Sequence, residues 1–302
     1  MADRPPFVSF LSDYGRADEF VGVCHAVILD IEPRARVVDI THDVPAFDVR
    51  AGALALVRAV QYLPEGVVLA VVDPGVGGDR RCLAVEVENG YLVGPDNGLL
   101  APAVAMLGGP LRVVELTNTE YQLPSPGPTF AGRDVMAPAA AYLCAGVAVS
   151  ALGPEVEPTS LTPAIVPLPG EDDEGRITGE VLWVDGFGNC QLNVAPEQLE
   201  LAGAQPGDPL EITFGAAAGA PAGGERSARR ARWVRAFADA KPSELVLLVD
   251  SYGMCALALD RRSAATELGI RAGSTITLAT ETSGADAGTS VRVGLSRPEA
   301  RS

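Results

Sequence analysis

Short apolar runs alternate with longer stretches of helical period through the first half of the chain, a rhythm that predicts an α/β sheet. Phe7 to Leu11 reads as a strand, Ala17 to Ile31 as a helix stopped by Pro33, and Val37 to Ile40 as a second strand. Asp48 to Tyr62 has apolar positions recurring at three and four, with Pro64-Glu65-Gly66 as its stop. Val67 to Val72 is a continuous run rich in β-branched residues, as expected of a central strand buried on both faces. Cys82 to Val87 and Tyr91 to Val93 flank Asn89-Gly90 and predict a hairpin. Leu99 to Met106 reads as a helix, Val113 to Leu116 as a strand and Val135 to Cys144 as an Ala-rich helix.

The rhythm breaks after Thr159. Four prolines and the polar run Gly170-Glu171-Asp172-Asp173-Glu174-Gly175 have linker composition. Beyond it come short strands: Gly179 to Val184, Gln191 to Val194, Leu210 to Phe214, Glu244 to Val249, Cys255 to Leu259 and Thr275 to Ala279. The expected architecture is an N-terminal α/β sheet domain over 1–165, a linker over 166–175, and a smaller all-β barrel domain over 176–302. Gly215 to Arg230 reads as a mobile loop and the tail after Val293 as frayed.

Charge and composition narrow the function classes. With 39 acidic and 23 basic residues the formal net charge is −16, which excludes a general nucleic-acid or anionic-membrane surface. The five cysteines, Cys24, Cys82, Cys144, Cys190 and Cys255, are dispersed and never form Cys-x-x-Cys, so neither a disulfide framework nor a zinc knuckle fits. Two histidines, His25 and His42, are too few for a histidine-rich metal centre, and no metal is expected. No signal stretch follows Met1, and no apolar run approaches the roughly 18 residues a membrane span needs, so the chain reads as cytoplasmic.

Four segments place polar residues where strands end. Ser12-Asp13-Tyr14-Gly15 offers a carboxylate for a ribose diol, with helix capping as the competing reading. Asp73-Pro74-Gly75-Val76-Gly77-Gly78-Asp79-Arg80 lacks the Gly-Lys-Ser/Thr of a phosphate loop. It is short enough to fold the Arg80 guanidinium back onto Asp73, either as a reaction-centre pair or as a brace for the loop. Thr129-Phe130-Ala131-Gly132-Arg133-Asp134 precedes the Ala-rich helix, so that Thr129 and backbone amides can meet a polar ligand group or Asp134 can cap the helix. Asp185-Gly186-Phe187-Gly188-Asn189 and Asp250-Ser251-Tyr252-Gly253 suit a ligand's ammonium and carboxylate, but β-turns collect the same residues for local reasons.

Taken in order, these segments resemble the S-adenosylmethionine hydroxide adenosyltransferase family, relatives of the fluorinase and chlorinase. The resemblance runs through Phe-Leu-Ser-Asp-Tyr-Gly at 10–15, Asp-Ile-Thr-His-Asp-Val-Pro at 39–45 and Val-Asp-Pro-Gly-Val-Gly at 72–77. Arg80-Arg81, Gly94-Pro95-Asp96-Asn97-Gly98, Thr129-Phe130, Val-Asp-Gly-Phe-Gly-Asn at 184–189, Phe237-Ala238-Asp239 and Asp-Ser-Tyr-Gly at 250–253 continue it. It implies hydrolysis of S-adenosylmethionine to adenosine and L-methionine, with no cofactor, in a homotrimer whose sites lie between subunits. Asp13 then holds the ribose and Phe47 packs by the sugar and sulfonium. Thr129 and Phe130 line the same pocket. Phe187, Asn189 and Phe237 surround adenine, Asp185 and Ser251 (with Tyr252 beside it) take the methionine end, and Asp73 and Arg80 position the attacking water.

The halogenating relatives carry Tyr where this chain has Asp73 and an uncharged residue where it has Arg80, which turns the expectation from halide to water. The hydrolase pattern Thr-Phe-His-Gly-Arg-Asp has Ala131 here in place of His. Weakened turnover is therefore expected, with a non-catalytic S-adenosylmethionine or adenosine binder as the alternative and a halogenase as a weaker one. His42 itself reads as a hydrogen-bonded turn residue.

Overall fold

A computed structural model describes residues 6–215 and 227–280. The chain divides into two compact units, Met1–Pro167 and Leu168–Ser302.

The first unit is built on β1 (Phe7–Ser12), α1 (Phe20–Ile31), β2 (Arg36–Thr41), α2 (Val49–Val60), β3 (Gly66–Val71), β4 (Cys82–Val87), β5 (Gly90–Pro95), α3 (Ala101–Met106), β6 (Arg112–Glu115) and α4 (Ala137–Cys144). The sheet order is β2-β1-β3-β5-β4-β6. β2, β1, β3 and β5 run parallel, while β4 pairs antiparallel with both β5 and β6. The sheet is therefore mixed, because the hairpin at Asn89-Gly90 reverses the chain inside it.

Successive residues of β3 serve opposite faces. Val67, Leu69 and Val71 join Cys24 and Ile28 of α1 and the alanines of α4 in one core. Val68, Ala70 and Val72 join Ala53, Leu56 and Val60 of α2 in the other. This double coverage explains why β3 reads as an unbroken apolar run. α2 starts where Asp48 accepts a bond from Ala51 N at 2.8 Å, a side-chain cap on an otherwise unpaired amide. The predicted Val135–Cys144 helix instead opens with a π-turn, Gly132–Met136, before α4.

The second unit contains β7 (Gly170–Glu171), β8 (Ile177–Val184), β9 (Cys190–Leu192), α5 (Pro196–Leu201), β10 (Pro209–Phe214), β11 (Ser227–Trp233), β12 (Leu245–Val249), β13 (Cys255–Leu259), α6 (Ala264–Leu268) and β14 (Thr275–Thr280). The order β14-β10-β11-β12-β13-β9-β8 closes on itself through β14–β8, giving a barrel, with β7 added beside β8. Leu192, Leu210, Ile212, Trp233, Leu247, Leu257 and Ile276 fill its interior. Closure leaves few free edges, which suits so small a β unit.

Two expectations need correction or restriction. The loop read over Gly215 to Arg230 ends as strand: Ser227 to Arg230 begin β11, paired with β10 from Phe214↔Ser227 onward. Ala228, Arg229 and Arg230 carry no alternating pattern, so the strand's polar half is invisible to periodicity. Residues 216–226 and the tail after Val293 lie outside the described residues. Among the described residues no helix is long and apolar enough to cross a membrane.

Leu69 is fully buried at the centre of β3. Leu69→Ala is expected to cost about 2–5 kcal/mol, read as a lower denaturant midpoint for the unfolding of the first unit.

Candidate active site

The end of β3 sets the geometry. Val72 is still core, and Asp73 emerges at the carboxyl edge of the parallel strands, where α/β sheets hold ligands. The loop turns back through bonds from Val76 N to Asp73 O (3.2 Å) and Gly78 N to Gly75 O (3.0 Å). Gly77 has φ +80°, and a side chain there would press on the Pro128 carbonyl. Arg80 returns to Asp73: Nε donates to both carboxylate oxygens at 3.0 Å, and Nη2 to Oδ2 at 2.6 Å. The side chains are only 6% and 16% exposed, for Asp73 and Arg80 respectively. The hydrogen bonds to Asp73 outweigh burial and raise the Arg80 pKa further.

Beside this pair lies a cavity of about 740 Å³ whose lining includes Asp13, Tyr14, Phe20, Phe47, Asp73, Thr129, Phe130, Gly132 and Arg133. Asp13, at the end of β1, accepts the Phe47 amide at 2.9 Å through Oδ2. That bond accompanies a Phe47 φ of +68°, a conformation a large side chain rarely adopts, and the residue is 73% exposed. Strain of this kind persists where surrounding structure enforces it, commonly at ligand sites. The structure thus brings Asp13, Phe47, Asp73, Thr129 and Phe130 to one cavity, with Arg80 bonded to its wall.

Two aromatic lining residues, Tyr14 and Phe20, carry no role in the sequence reading. With Phe130 they stack edge to face at centroid distances of 5.2–5.7 Å, and the Arg133 guanidinium sits 4.9 Å from the Phe130 centroid. Tyr14 stood inside the Ser-Asp-Tyr-Gly motif, but nothing in the sequence marks Phe20 beyond its place at a helix start. Burial pushes the Tyr14 hydroxyl well above the usual phenol range; Cys24, Asp13 and Asp73 add to the shift and Arg80 opposes it. Burial likewise pushes the Cys24 thiol up to about 12 and the Cys82 thiol up to about 11, so neither is a thiolate nucleophile near neutral pH. Asp134 pairs with Arg133 at 2.6 Å rather than capping a helix.

Ala131 is buried and lines a different cavity, of about 630 Å³, together with Gly77, Gly78, Arg80 and Asp134. The Asp73–Arg80 pair therefore has one cavity against its carboxylate and another against its guanidinium.

In the second unit the turn after β8 is organised by Asp185. Its Oδ1 accepts the amides of Phe187 and Asn189 at 2.9 Å, and Oδ2 accepts Asn189 Nδ2 at 2.8 Å. Phe187, Asn189 and Phe237 line a cavity of about 470 Å³ with Arg261 and Ser263. Phe187 is 83% exposed. Gly188 is required here because a Cβ would overlap Ser263. Asp185, Ser251 and Tyr252 do not line this cavity. Ser251 and Tyr252 are exposed in the turn that Asp250 holds by accepting the Tyr252 and Met254 amides at 2.9 and 3.1 Å.

Such a fold and site define a two-part α/β-plus-barrel protein with an acid–guanidinium pair at a strand-end cavity. The chain belongs to the SAM hydroxide adenosyltransferase family, whose N-terminal domain matches residues 8–153 and whose C-terminal domain matches 179–277. It is 45% identical over 272 residues to an (R)-S-adenosyl-L-methionine hydrolase of Salinispora tropica, covering 89% of this chain and 95% of the relative. A fluorinase of an Actinoplanes species is 28% identical over 227 residues, 67% of this chain and 76% of that protein. The crystal structure of an uncharacterized conserved protein from Thermotoga maritima is similar with a TM-score of 0.80 at 30% identity, over 90% of this chain and 99% of that one.

A Cβ at Gly132 would collide with the Tyr14 hydroxyl, whereas one at Gly127 meets nothing within 4 Å. Gly132→Ala is therefore expected to destabilise by about 1–3 kcal/mol while Gly127→Ala stays near neutral, as thermal melts of the two variants will show.

Proposed function

We propose that the protein hydrolyses S-adenosyl-L-methionine to adenosine and L-methionine by attack of water at C5′. The observation that carries this reading is Asp73, on the wall of the cavity that also holds Asp13, with Arg80 bonded to it. A carboxylate offers about four acceptor sites, and Arg80 takes three of them with its N–H bonds. The remaining site accepts a hydrogen bond from water, whose own lone pair is then turned to C5′. Sulfonium is already a good leaving group, so alignment and support of developing hydroxide character are the main demands. Arg80 supplies the positive charge. A halide ion has no proton to donate to Asp73 and meets its negative edge, at a penalty of about a few kcal/mol in a semi-buried site. Water is therefore favoured over halide, and the substrate itself is the only small molecule the reaction needs besides water.

The substrate assignments follow the two cavities. Asp13 accepts from the ribose diol through the oxygen that Phe47 N leaves free, and the exposed Phe47 ring covers the sugar. Thr129 and Phe130 complete that wall. In the barrel unit, Phe187 and Phe237 sandwich adenine. The Asn189 amide nitrogen is committed to Asp185, leaving its oxygen to accept an adenine N–H. Asp185 retains one acceptor site for the methionine ammonium, and Ser251 with Tyr252 takes the carboxylate. Phe47 and Phe187 are too exposed for residues meant to sandwich a ligand alone, which supports a homotrimer in which neighbouring subunits complete each site. The five free cysteines suit a reducing, cytoplasmic setting.

A second reading rests on Ala131. With a methyl group in place of an imidazole beside Arg80, the protein binds S-adenosylmethionine or adenosine and turns it over slowly. Incubation with substrate and chromatography for adenosine tests the main reading. Asp73→Asn is expected to lower kcat by about 10²-fold or more while KM changes little; an unchanged kcat removes Asp73 from the chemistry. Ala131→His is expected to raise kcat by about 10²–10⁴-fold. Tight calorimetric binding with no adenosine from either form supports the binding protein instead.

A further inference from the structure

Both histidines of the chain, far apart in sequence and on different elements, converge on one carboxylate away from the cavities described above. His25 projects from α1, Asp39 lies on β2, and His42 follows β2. His25 Nε2 is 2.9 Å and His42 Nε2 is 3.0 Å from the same oxygen, Asp39 Oδ1. The three donor atoms all lie within 4.8 Å of one another. A register shift between Phe10 and Leu11, where β1 pairs with β2, skips a residue just before His42 and aims this end of the strand.

Hydrogen bonding alone does not account for the cluster. His42 is 1% exposed, and its Nε2, although close to Asp39, lies off the line a hydrogen bond requires and has no hydrogen-bond partner. If that nitrogen carries a proton, it pairs with Asp39 by charge at 3.0 Å but outside hydrogen-bond geometry; if it carries a lone pair, it faces a carboxylate oxygen. A cation between the three atoms satisfies all of them at once, with both imidazoles neutral. The other ring nitrogen, Nδ1, is held by Ser12 Oγ at 2.8 Å, an outer contact of the kind that fixes the orientation of metal-ligating imidazoles.

We propose that His25, Asp39 and His42 form a binding site for a divalent transition-metal ion of the zinc class. Two imidazoles and one carboxylate suit Zn²⁺ or Co²⁺ better than Mg²⁺ or Ca²⁺, which prefer all-oxygen shells. Metal–ligand distances of about 2.0–2.2 Å place tetrahedral ligand atoms roughly 3.3 Å apart, so small side-chain rotations convert the observed cluster into a coordination shell. The side chains of His25 and Asp39 remain 28% and 32% exposed, which gives the ion an entry path and a water a fourth position. Ser12 is the neighbour of Asp13, and His42 O accepts the Gly15 amide at 2.8 Å. The ion therefore braces the turn that carries Asp13 and Tyr14, a structural role outside the proposed chemistry.

Because the chain has only two histidines, their imidazole resonances in the full-length, chelator-treated protein report on the site directly. Addition of Zn²⁺ is expected to shift both ring signal sets together and to saturate at one equivalent, with Co²⁺ giving tetrahedral d–d absorption. His25→Ala and Asp39→Asn, which keep the buried ring in place, are expected to weaken binding by about 10–100-fold with unchanged circular dichroism. Shifts confined to His25, no saturation at one equivalent, or binding equal to wild type in both variants overturns the proposal. Whether adenosine is formed does not enter this test.

Discussion

A carboxylate placed at the end of a fully covered strand has to be answered by a positive charge, and in this protein Arg80 gives that answer with three hydrogen bonds from two N–H groups. Removing either partner of such a pair leaves an uncompensated charge at a semi-buried place, a loss typically of about 3–5 kcal/mol. The loop between them is shaped by this need. Gly77 fits against Pro128 where a side chain would not, and the Asn97 amide holds the Val72 carbonyl at 2.8 Å just before Asp73. Three separate segments, around 73–80, 97 and 128, are thus registered on one ion pair. The cavity walls inherit their positions from it.

The same pair explains why its two neighbouring cavities differ in character. On the carboxylate side, aromatic rings from Tyr14, Phe20 and Phe130 pack beside Asp13, so an acceptor lies next to apolar faces. That combination suits a sugar attached to a flat base or a soft sulfonium. On the guanidinium side the lining mixes glycines and prolines with polar groups and the aliphatic Leu116, Leu123 and Val135, and includes no aromatic ring. Fluorinase relatives at 28% identity demonstrate that such a scaffold tolerates different chemistry over much of its length. On the proposed reading, selectivity comes from an acceptor that water can bond and a halide cannot.

Much of this was legible in the sequence because its physical signals are local. The β3 run is apolar on both faces since helices cover both faces, and Asp48 and Asn89-Gly90 announce a cap and a reversal by their own chemistry. β11 was missed because its first residues face solvent on a barrel wall, where burial imposes no alternation. The π-turn at Gly132–Met136 begins where Tyr14 crosses Gly132, a contact between segments that no periodicity reports. Among site residues, Asp13, Asp73 and Arg80 were marked by position at strand ends. Phe20 was not, since an aromatic residue opening a helix is ordinary until the fold sets two other rings against it. The union of His25, Asp39 and His42 had no signature either: its spacing follows from a parallel strand pair, a shifted register and a helix face.

Ala131 separates what the site must hold from what it must do. Every residue that lines the cavity with Asp13 is present whatever stands at 131, because Ala131 opens onto the guanidinium side of the pair. The proposed contact of Asp13 with ribose is therefore independent of it. What a small side chain there does change is the surroundings of Arg80: a methyl group neither donates to, accepts from, nor excludes water from that side. Arg80 still holds Asp73, but the cavity of about 630 Å³ beside it gains no donor or acceptor from Ala131 to support developing negative charge. On the proposed mechanism the loss falls on the transition state rather than on the bound substrate, which would make affinity and turnover separable properties of this chain.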